Sequence, residues 1–346
     1  MRPFRTDPSP MHKIAFAGFR HIHIFDLYRR VLDHPSLELT ALCEENAGLS
    51  LLPEKGLQPT HTRFEALLAD GNFDTVALGD CYGNRGRQAI AALRAGKHVI
   101  ADKPLCTSLD ELSEIADLTR ATGLRVGLML DLRDHGNWIA LRAVALSGRI
   151  GEIQTVSFGA QHPLLRGKRP SWYFEPGLHG GTINDIAIHA VDFIPWLTGM
   201  TITGVHAART WSAKAADVPH FHDCGQLMLT LSNGGGVLGD VSYLAPDACG
   251  YATEAYWRVT LHGTSGTAET SHNAKGVLVA DDSSPAPELV PGAPPRPGGY
   301  LEDFLSDVAG NPRAEGVTTA SHLEASRLAL EIERLAGTPR PPSPIL

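Results

Sequence analysis

The sequence has little from which to build a cross-linked or membrane-spanning protein. Only five of its 346 residues are cysteine: Cys43, Cys81, Cys106, Cys224 and Cys249. The number is odd, the gaps are long and no Cys-x-x-Cys pair occurs. That excludes a disulfide framework and a zinc ribbon and points to a reducing, cytoplasmic setting. No apolar run approaches the roughly 20 residues of a spanning helix. The first ten residues, MRPFRTDPSP, are partly basic but lack an apolar segment. They read as a disordered leader rather than a signal peptide, with Met11 a candidate start. Basic residues are not in excess either. Against 38 Asp and Glu stand 30 Lys and Arg, a net charge of −8, which argues against nucleic acid or an anionic membrane as partner. The remainder is ordinary for a globular chain, 43% hydrophobic and 20% charged. Its length suggests about two domains with core enough to need no metal or disulfide staple.

In the first third, short apolar runs alternate with helical patterns. Lys13–Gly18, Leu37–Cys43, Thr75–Gly79, His98–Ala101 and Leu124–Leu130 read as strands. Ile24, Leu27, Tyr28, Val31 and Leu32 form a helical stripe. Phe64–Leu68 and Gln88–Ala95 read as helices, and Ser108 with Glu111 as a capping box for a helix to about Thr122. Strands alternating with helices imply right-handed βαβ units in a doubly wound parallel sheet. After about residue 150 the period changes to two. Gln154–Ala160, Gln226–Leu231, Gly236–Tyr243, Trp257–Gly263 and Gly276–Ala280 read as one antiparallel sheet, interrupted by a helix over Thr182–Leu197. Ser283–Gly299, with six prolines, reads as a surface loop. Helices are expected near Leu301–Ala309 and Thr318–Leu335. The expected organisation is a leader over 1–11, a Rossmann domain over 12–131, an α/β domain built on a large, mostly antiparallel open sheet over 132–317, a helix over 318–336 and a tail over 337–346.

The first strand runs into Gly18-Phe19-Arg20-His21-Ile22-His23 and then a helix. Such a turn can present backbone N–H groups and a positive helix end to a pyrophosphate. Only the first glycine of a GxGxxG pattern is present. Glu44, at the end of the second strand, is placed to take a ribose 2′-OH and repel a 2′-phosphate, which favours NAD over NADP.

The segment VALGDCYGNRGRQAIAALRAGKHVIADKP, Val76 to Pro104, resembles the glucose-fructose oxidoreductase / inositol dehydrogenase (Gfo/Idh/MocA) family. Its AIAAL-x-AGKHV run and acid-Lys-Pro triplet (Asp102-Lys103-Pro104) carry the resemblance. Gly180-Gly181-Thr182-Ile183-Asn184-Asp185 through His189, continuing AVDFIPWLTG, looks like the family's glycine turn followed by D-x-x-x-H on a helix. The resemblance covers about residues 12–336. It implies a Rossmann domain, an open-sheet second domain that often mediates oligomers (a homodimer or homotetramer is expected), and NAD held between the two. Where the family carries Thr-Pro-Asn and a later His, this chain has Asp80, Cys81, Tyr82 and Arg85. The positions expected to hold the cofactor are Gly18, Phe19, Arg20, His21, His23, Glu44, Gly79, Asp80, Tyr82, Arg85, Lys103 and Pro104.

Oxidising a secondary alcohol needs a base, a C–H aimed at the nicotinamide and a group that steadies developing charge. Asp185 and His189, four apart, share a helix face, and His189 suits the acid/base role. Lys103 lies just past a strand's carboxyl end, where α/β sheets bind ligands. In the resemblance all three positions belong to the active site. The expected substrate is a sugar, sugar derivative or cyclitol. Trp172 and Tyr173 are candidates to stack on it, with Arg133, Asn184 and His222 as further contacts and Asn137 and His162 as weaker ones. His21-x-His23 and His220-x-His222 could join a metal site, but no short motif supports one and none is expected. Three alternatives stay open: a net non-redox enzyme (an epimerase, or one cleaving glycosidic bonds) that recycles tightly bound NAD, a non-catalytic ligand sensor, and a metal-dependent lyase or isomerase.

Overall fold

A computed structural model describes residues 11–337. The leader and tail expected from the sequence fall almost wholly outside the described residues. The first sheet has five parallel strands, β1 (His12–Ala17), β2 (Leu37–Cys43), β3 (Thr75–Leu78), β4 (His98–Ala101) and β5 (Val126–Leu128), in the order β2-β1-β3-β4-β5. Central β3 is buried at every residue, as a strand covered on both faces must be. Helices α1 (Ile24–Asp33), α2 (Phe64–Asp70), α3 (Tyr82–Arg94) and α4 (Leu109–Thr122) make the connections. Helix α1 buries Ile24, Leu27 and Val31 of the stripe read from the sequence, together with Phe25, while Tyr28 is half-buried and Leu32 exposed. The Ser108 hydroxyl accepts from the Asp110 and Glu111 amides at the start of α4, satisfying donors that a helix start leaves free. Because all five strands run the same way, the β1–α1 turn, the end of β3 and the end of β4 meet at one edge.

The second sheet has eight strands: β6 (Ile153–Pro163), β7 (Ile202–Trp211), β8 (Cys224–Leu231), β9 (Gly236–Ala245), β10 (Arg258–Gly263), β11 (Gly266–Ser271), β12 (Gly276–Asp281) and β13 (Glu288–Pro291). Their order is β13-β12-β11-β10-β6-β9-β8-β7. The sheet is mostly antiparallel, as expected, with central β6 and β9 the one parallel pair. Helices α5 (Gly136–Leu146), α6 (Ile188–Thr198), α7 (Gly299–Val308) and α8 (Thr319–Ala336) complete the fold. Three strands are missing from the sequence reading. Strand β7 is an edge strand with no fully buried residue, β11 (GTAETS) is small and polar, and β13 lies within the proline-rich segment read as a loop. Helix α5 was missed as well, because its apolar residues point to several sides rather than one. Among the described residues no helix is long and apolar enough to cross a membrane.

The helix expected over Thr182–Leu197 is composite. Ile183–Ala187 forms a wider π-helical turn that leads into α6. Gly180 and Gly181 hold φ of 78° and 101° ahead of it, a region closed to most side chains. Glu333 of α8 reaches across, and its Oε2 accepts from the Ile183 and Asn184 amides at 2.8 and 3.1 Å. Loss of water pushes the Glu333 carboxyl up to about 7, helped by the nearby Asp185 charge and against the pull of the two amides. The unfolded chain releases this proton near the ordinary glutamate value, whereas the folded chain releases it near 7. Below the first value the two states bind the proton alike. Between the two the folded state holds a proton that the unfolded state has lost, so stability falls as pH rises from about 4.5 to about 7. Part of the side chain reaches the surface, and solvent screening keeps the effect to about 1–2 kcal/mol. Glu333→Gln keeps an acceptor oxygen and removes the charge. Urea unfolding at pH 5 and pH 8 is expected to show the variant gaining on the wild-type chain at pH 8 and matching it at pH 5.

Candidate active site

Lys103 follows β4, and its peptide bond to Pro104 is cis. Its ammonium donates to Asp185 Oδ1 at 2.5 Å and to the Asp185 carbonyl at 2.9 Å. Both side chains are almost fully buried. The other Asp185 oxygen accepts from the Tyr243 hydroxyl of β9, and His179 Nε2 lies 3.0 Å from that hydroxyl and 3.6 Å from the carboxylate. Burial alone would raise the Asp185 carboxyl, but the Lys103 charge and the His179 contact bring it well below its ordinary value. Burial and the Asp185 charge push the Tyr243 phenol well above its own. The result is a lysine–carboxylate–phenol network in which the phenol proton stays on Tyr243.

The network opens on a cavity of about 320 Å³. Lys103 and Asp185 line it together with His21, His23, His162, Arg169, Tyr173, Tyr251, Tyr256, His272 and Asn273. The Arg169 guanidinium lies over the Tyr173 ring at 4.6 Å and the Tyr243 ring at 5.1 Å. Burial and the Lys103 charge push His162 down to about 3, so its ring is neutral near pH 7, and its Nε2 has no hydrogen-bond partner among the described residues. A larger depression, about 610 Å³, lies on the outer face of the second sheet beside Met228 and Leu238. It lacks Lys103 and its partners, so we place the chemistry in the smaller cavity.

Several expected site residues lie elsewhere. His189 is not in the cavity wall. Its ring meets the Trp257 ring edge-on at 5.3 Å, and burial followed by the Lys103 charge holds it well below its ordinary value. Asp185 sits in the π-helical turn and His189 in α6, so the regular one-turn spacing assumed from the sequence does not apply. Arg133 is tied to Asp192 at 2.6 and 2.8 Å and borders a different depression. Asn137 binds the Ser271 and Ala274 carbonyls, and Asn184 donates to the Cys106 carbonyl. His222 is exposed and bonded to Thr210, while His220 contacts the Phe174 carbonyl; neither borders the cavity. Tyr173 does line the cavity. Trp172 is fully buried behind it, its indole donating to the Arg20 carbonyl at 3.1 Å. The sequence reading did not find His179, Arg169, Tyr243, Tyr251, Tyr256, His272 or Asn273. They come from separate loops and strands and share no spacing, and only the pairing of distant strands unites them.

The expected cofactor residues are gathered at the strand ends, but they bind one another. Glu44 accepts from the Phe19 amide at 2.9 Å and from Arg20 Nη2 and Nε at 2.9 and 3.1 Å. Arg20 also donates to Asp80 at 2.7 Å, and all three side chains are buried. Gly18 packs on Asp80 so closely that an added Cβ would lie 2.6 Å from its amide nitrogen. Phe19 is in the core with Phe16 and Tyr28. Gly79 uses its carbonyl to accept from the Arg20 and His21 amides. Arg85, fully buried, donates to the Asp80, Asp102, Lys103 and Pro104 carbonyls and to the Asp102 carboxylate. Tyr82, also fully buried, bonds Tyr173 at 2.7 Å and faces Trp172 with ring centroids 4.9 Å apart. As they stand, these residues would have to exchange partners before a dinucleotide could use Glu44. Its expected ribose partner Glu44 is held by Arg20, which also binds Asp80 beside the turn, and Tyr82, Trp172 and Tyr173 pack against one another behind the cavity that His21, His23 and Lys103 share.

A parallel sheet with this strand order, joined to a large mixed sheet and carrying a lysine–aspartate pair between them, defines a two-part α/β protein of the Rossmann type. The chain belongs to the Gfo/Idh/MocA family: residues 13–129 match the family's "oxidoreductase family, NAD-binding Rossmann fold" and residues 138–269 its "GFO/IDH/MocA C-terminal domain". Among curated relatives, 1,5-anhydro-D-fructose reductase of Ensifer adhaerens is 34% identical over 149 residues, 42% of this chain and 44% of that one. The chain spans about half the length of the curated relatives it matches. A putative oxidoreductase from Erwinia carotovora atroseptica superposes with a TM-score of 0.83 at 22% identity, over 94% of this chain and 99% of the other. The WlbA dehydrogenase of Bordetella pertussis, solved with NADH and UDP-GlcNAcA, gives 0.73 at 20% identity over 94% and 96%. These two likenesses concern the fold.

Proposed function

We propose that the chain is an enzyme that moves a proton at the carbon next to a carbonyl group of a small polyhydroxylated substrate, with a net non-redox outcome such as epimerisation or elimination. The observation that carries this reading is the buried Lys103–Asp185 pair in the wall of the 320 Å³ cavity, set beside a turn in which Arg20 binds both Glu44 and Asp80. Lys103 donates to the substrate oxygen and steadies the charge that develops there. Asp185 and Tyr243 hold the ammonium in place. His162, whose neutral ring lines the same cavity, is the group placed to receive the proton. Tyr173, Tyr251 and Tyr256 offer ring faces to the C–H surfaces of a sugar or cyclitol, and Arg169 favours an oxygen-rich or anionic substituent.

A second reading is family-like hydride transfer to NAD at a CH–OH group of a sugar, sugar derivative or cyclitol. The position of Glu44 at the end of β2 favours it and favours NAD over NADP, but Arg20 would first have to release Glu44. Both readings are tested by incubating the protein in D₂O with sugars, sugar acids, keto-sugars and inositols, with and without NAD. Proton NMR is expected to show deuterium entering a carbon position without added nucleotide. Substrate consumed only when NAD is supplied, with NADH formed in equal amount, would replace the first reading by the second. The exposed Met228, Leu238, Leu244 and Leu278 on the outer face of the second sheet support a homo-oligomer paired through that face.

A further inference from the structure

The turn that replaces the glycine pattern brings two histidines to one carboxylate. We propose that His21, His23 and Asp102 hold a divalent transition-metal ion in the wall of the cavity. One ligand atom from each residue lies within 4.8 Å of the others. His21 Nδ1 touches Asp102 Oδ2, and His23 Nδ1 lies 3.6 Å from Asp102 Oδ1. The two imidazole rings meet edge-on with centroids 4.3 Å apart.

A second observation points the same way. Asp102 is wholly buried, yet its Oδ1 has no hydrogen-bond partner among the described residues. A buried carboxylate oxygen with no hydrogen bond and only the His23 ring at 3.6 Å is costly, and a cation between it and the two rings would satisfy it. The opposite sides of the ligands are already tied down. Arg85 Nη2 holds Asp102 Oδ2 at 3.1 Å, and His21 Nε2 faces the Tyr82 hydroxyl at 3.3 Å. Contacts of this kind orient metal ligands from behind. The Arg85 charge opposes a cation, so the affinity expected is micromolar rather than nanomolar.

Two imidazoles and one carboxylate suit zinc, manganese, iron, cobalt or nickel rather than magnesium or calcium, which prefer all-oxygen sites. Three protein ligands leave coordination positions open. His21 and His23 both border the cavity that Lys103 and His162 line, so those positions face the bound substrate, and the His23 side chain is 53% exposed, which gives the ion access. Positions 20 and 23 of the turn, glycines in a dinucleotide site, are Arg and His here, so the turn has exchanged a phosphate-binding surface for a cation-binding one. The ion would polarise the substrate oxygen to which Lys103 donates; that role rests on the proposed function, whereas binding of the ion does not.

The test uses the full chain without an affinity tag, stripped with EDTA and titrated with Co²⁺ and Zn²⁺. Visible absorption of Co²⁺ and calorimetry of Zn²⁺ are expected to show one ion per chain. His23→Ala, at a largely exposed side chain, is expected to keep the wild-type circular dichroism and lose affinity at least 30-fold. His222→Ala, remote from the cavity, is expected to change nothing. No saturable binding of either ion, or binding that His23→Ala leaves intact, overturns the proposal. Lys103→Met separates the two claims. If it loses proton exchange yet binds Co²⁺ normally, both stand; if the wild-type chain binds Co²⁺ but exchanges no proton, the ion site stands and the proposed function falls.

Discussion

Lys103→Met is expected to remove turnover by about 10²–10⁴-fold, the span of a lost proton donor, and to destabilise the fold by about 3–5 kcal/mol. Both effects come from one contact. The ammonium is the cation nearest Asp185, and without it a buried carboxylate is left with the Tyr243 hydroxyl and His179. The two effects can be separated. In Lys103→Met/Asp185→Asn the stranded charge is gone, so denaturant unfolding is expected to recover most of the lost stability while turnover stays absent. Recovery of turnover in the double variant would mean that Lys103 is structural only.

Arg85→Met is expected to be the most destabilising single change in this region. The guanidinium spans four backbone carbonyls and the Asp102 carboxylate from a fully buried position and lies 4.6 Å over the Tyr82 ring. No water can replace five such contacts in the core. Leaving a buried carboxylate and several carbonyls short of donors is expected to cost about 5 kcal/mol, which lowers the melting temperature by about 10–20 °C. Arg85→Lys would not rescue it, because one ammonium cannot reach donors set in a planar fork. A melting temperature within about 3 °C of wild type would show that the carbonyls find other partners.

Much of the fold is legible in the residues. Alternating apolar runs and helical stripes from Ile14 to Leu128 mark the parallel sheet, and its carboxyl edge locates Lys103. Period-two segments mark the core strands of the second sheet. The losses have physical causes. Strand β11 is too polar, and β13 too rich in proline nearby, to show a period. Arg85 looks like a cofactor contact in a loop because nothing local tells that α3 begins at Tyr82 and buries it. Asp185 and His189 read as one regular helical turn apart because a π-helical turn cannot be read from spacing. At the nucleotide edge Glu44, Arg20 and Asp80 can each be listed from the sequence as facing a ligand. That they face one another depends on the distance between the ends of β1, β2 and β3, and no motif records it.

Whether Arg20, held by Glu44 and Asp80, excludes a nucleotide decides between the two readings. The direct measurement is a fluorescence titration of the wild-type protein, freed of any nucleotide by denaturation and refolding or by extensive dialysis, with NADH and then NADPH. The Arg20–Glu44–Asp80 network and the Tyr82–Trp172–Tyr173 wall predict no saturable binding of either nucleotide up to millimolar concentration. Saturable NADH binding in the micromolar range would contradict that, showing that Arg20 and the aromatic wall give way to the cofactor and that the chain works by hydride transfer.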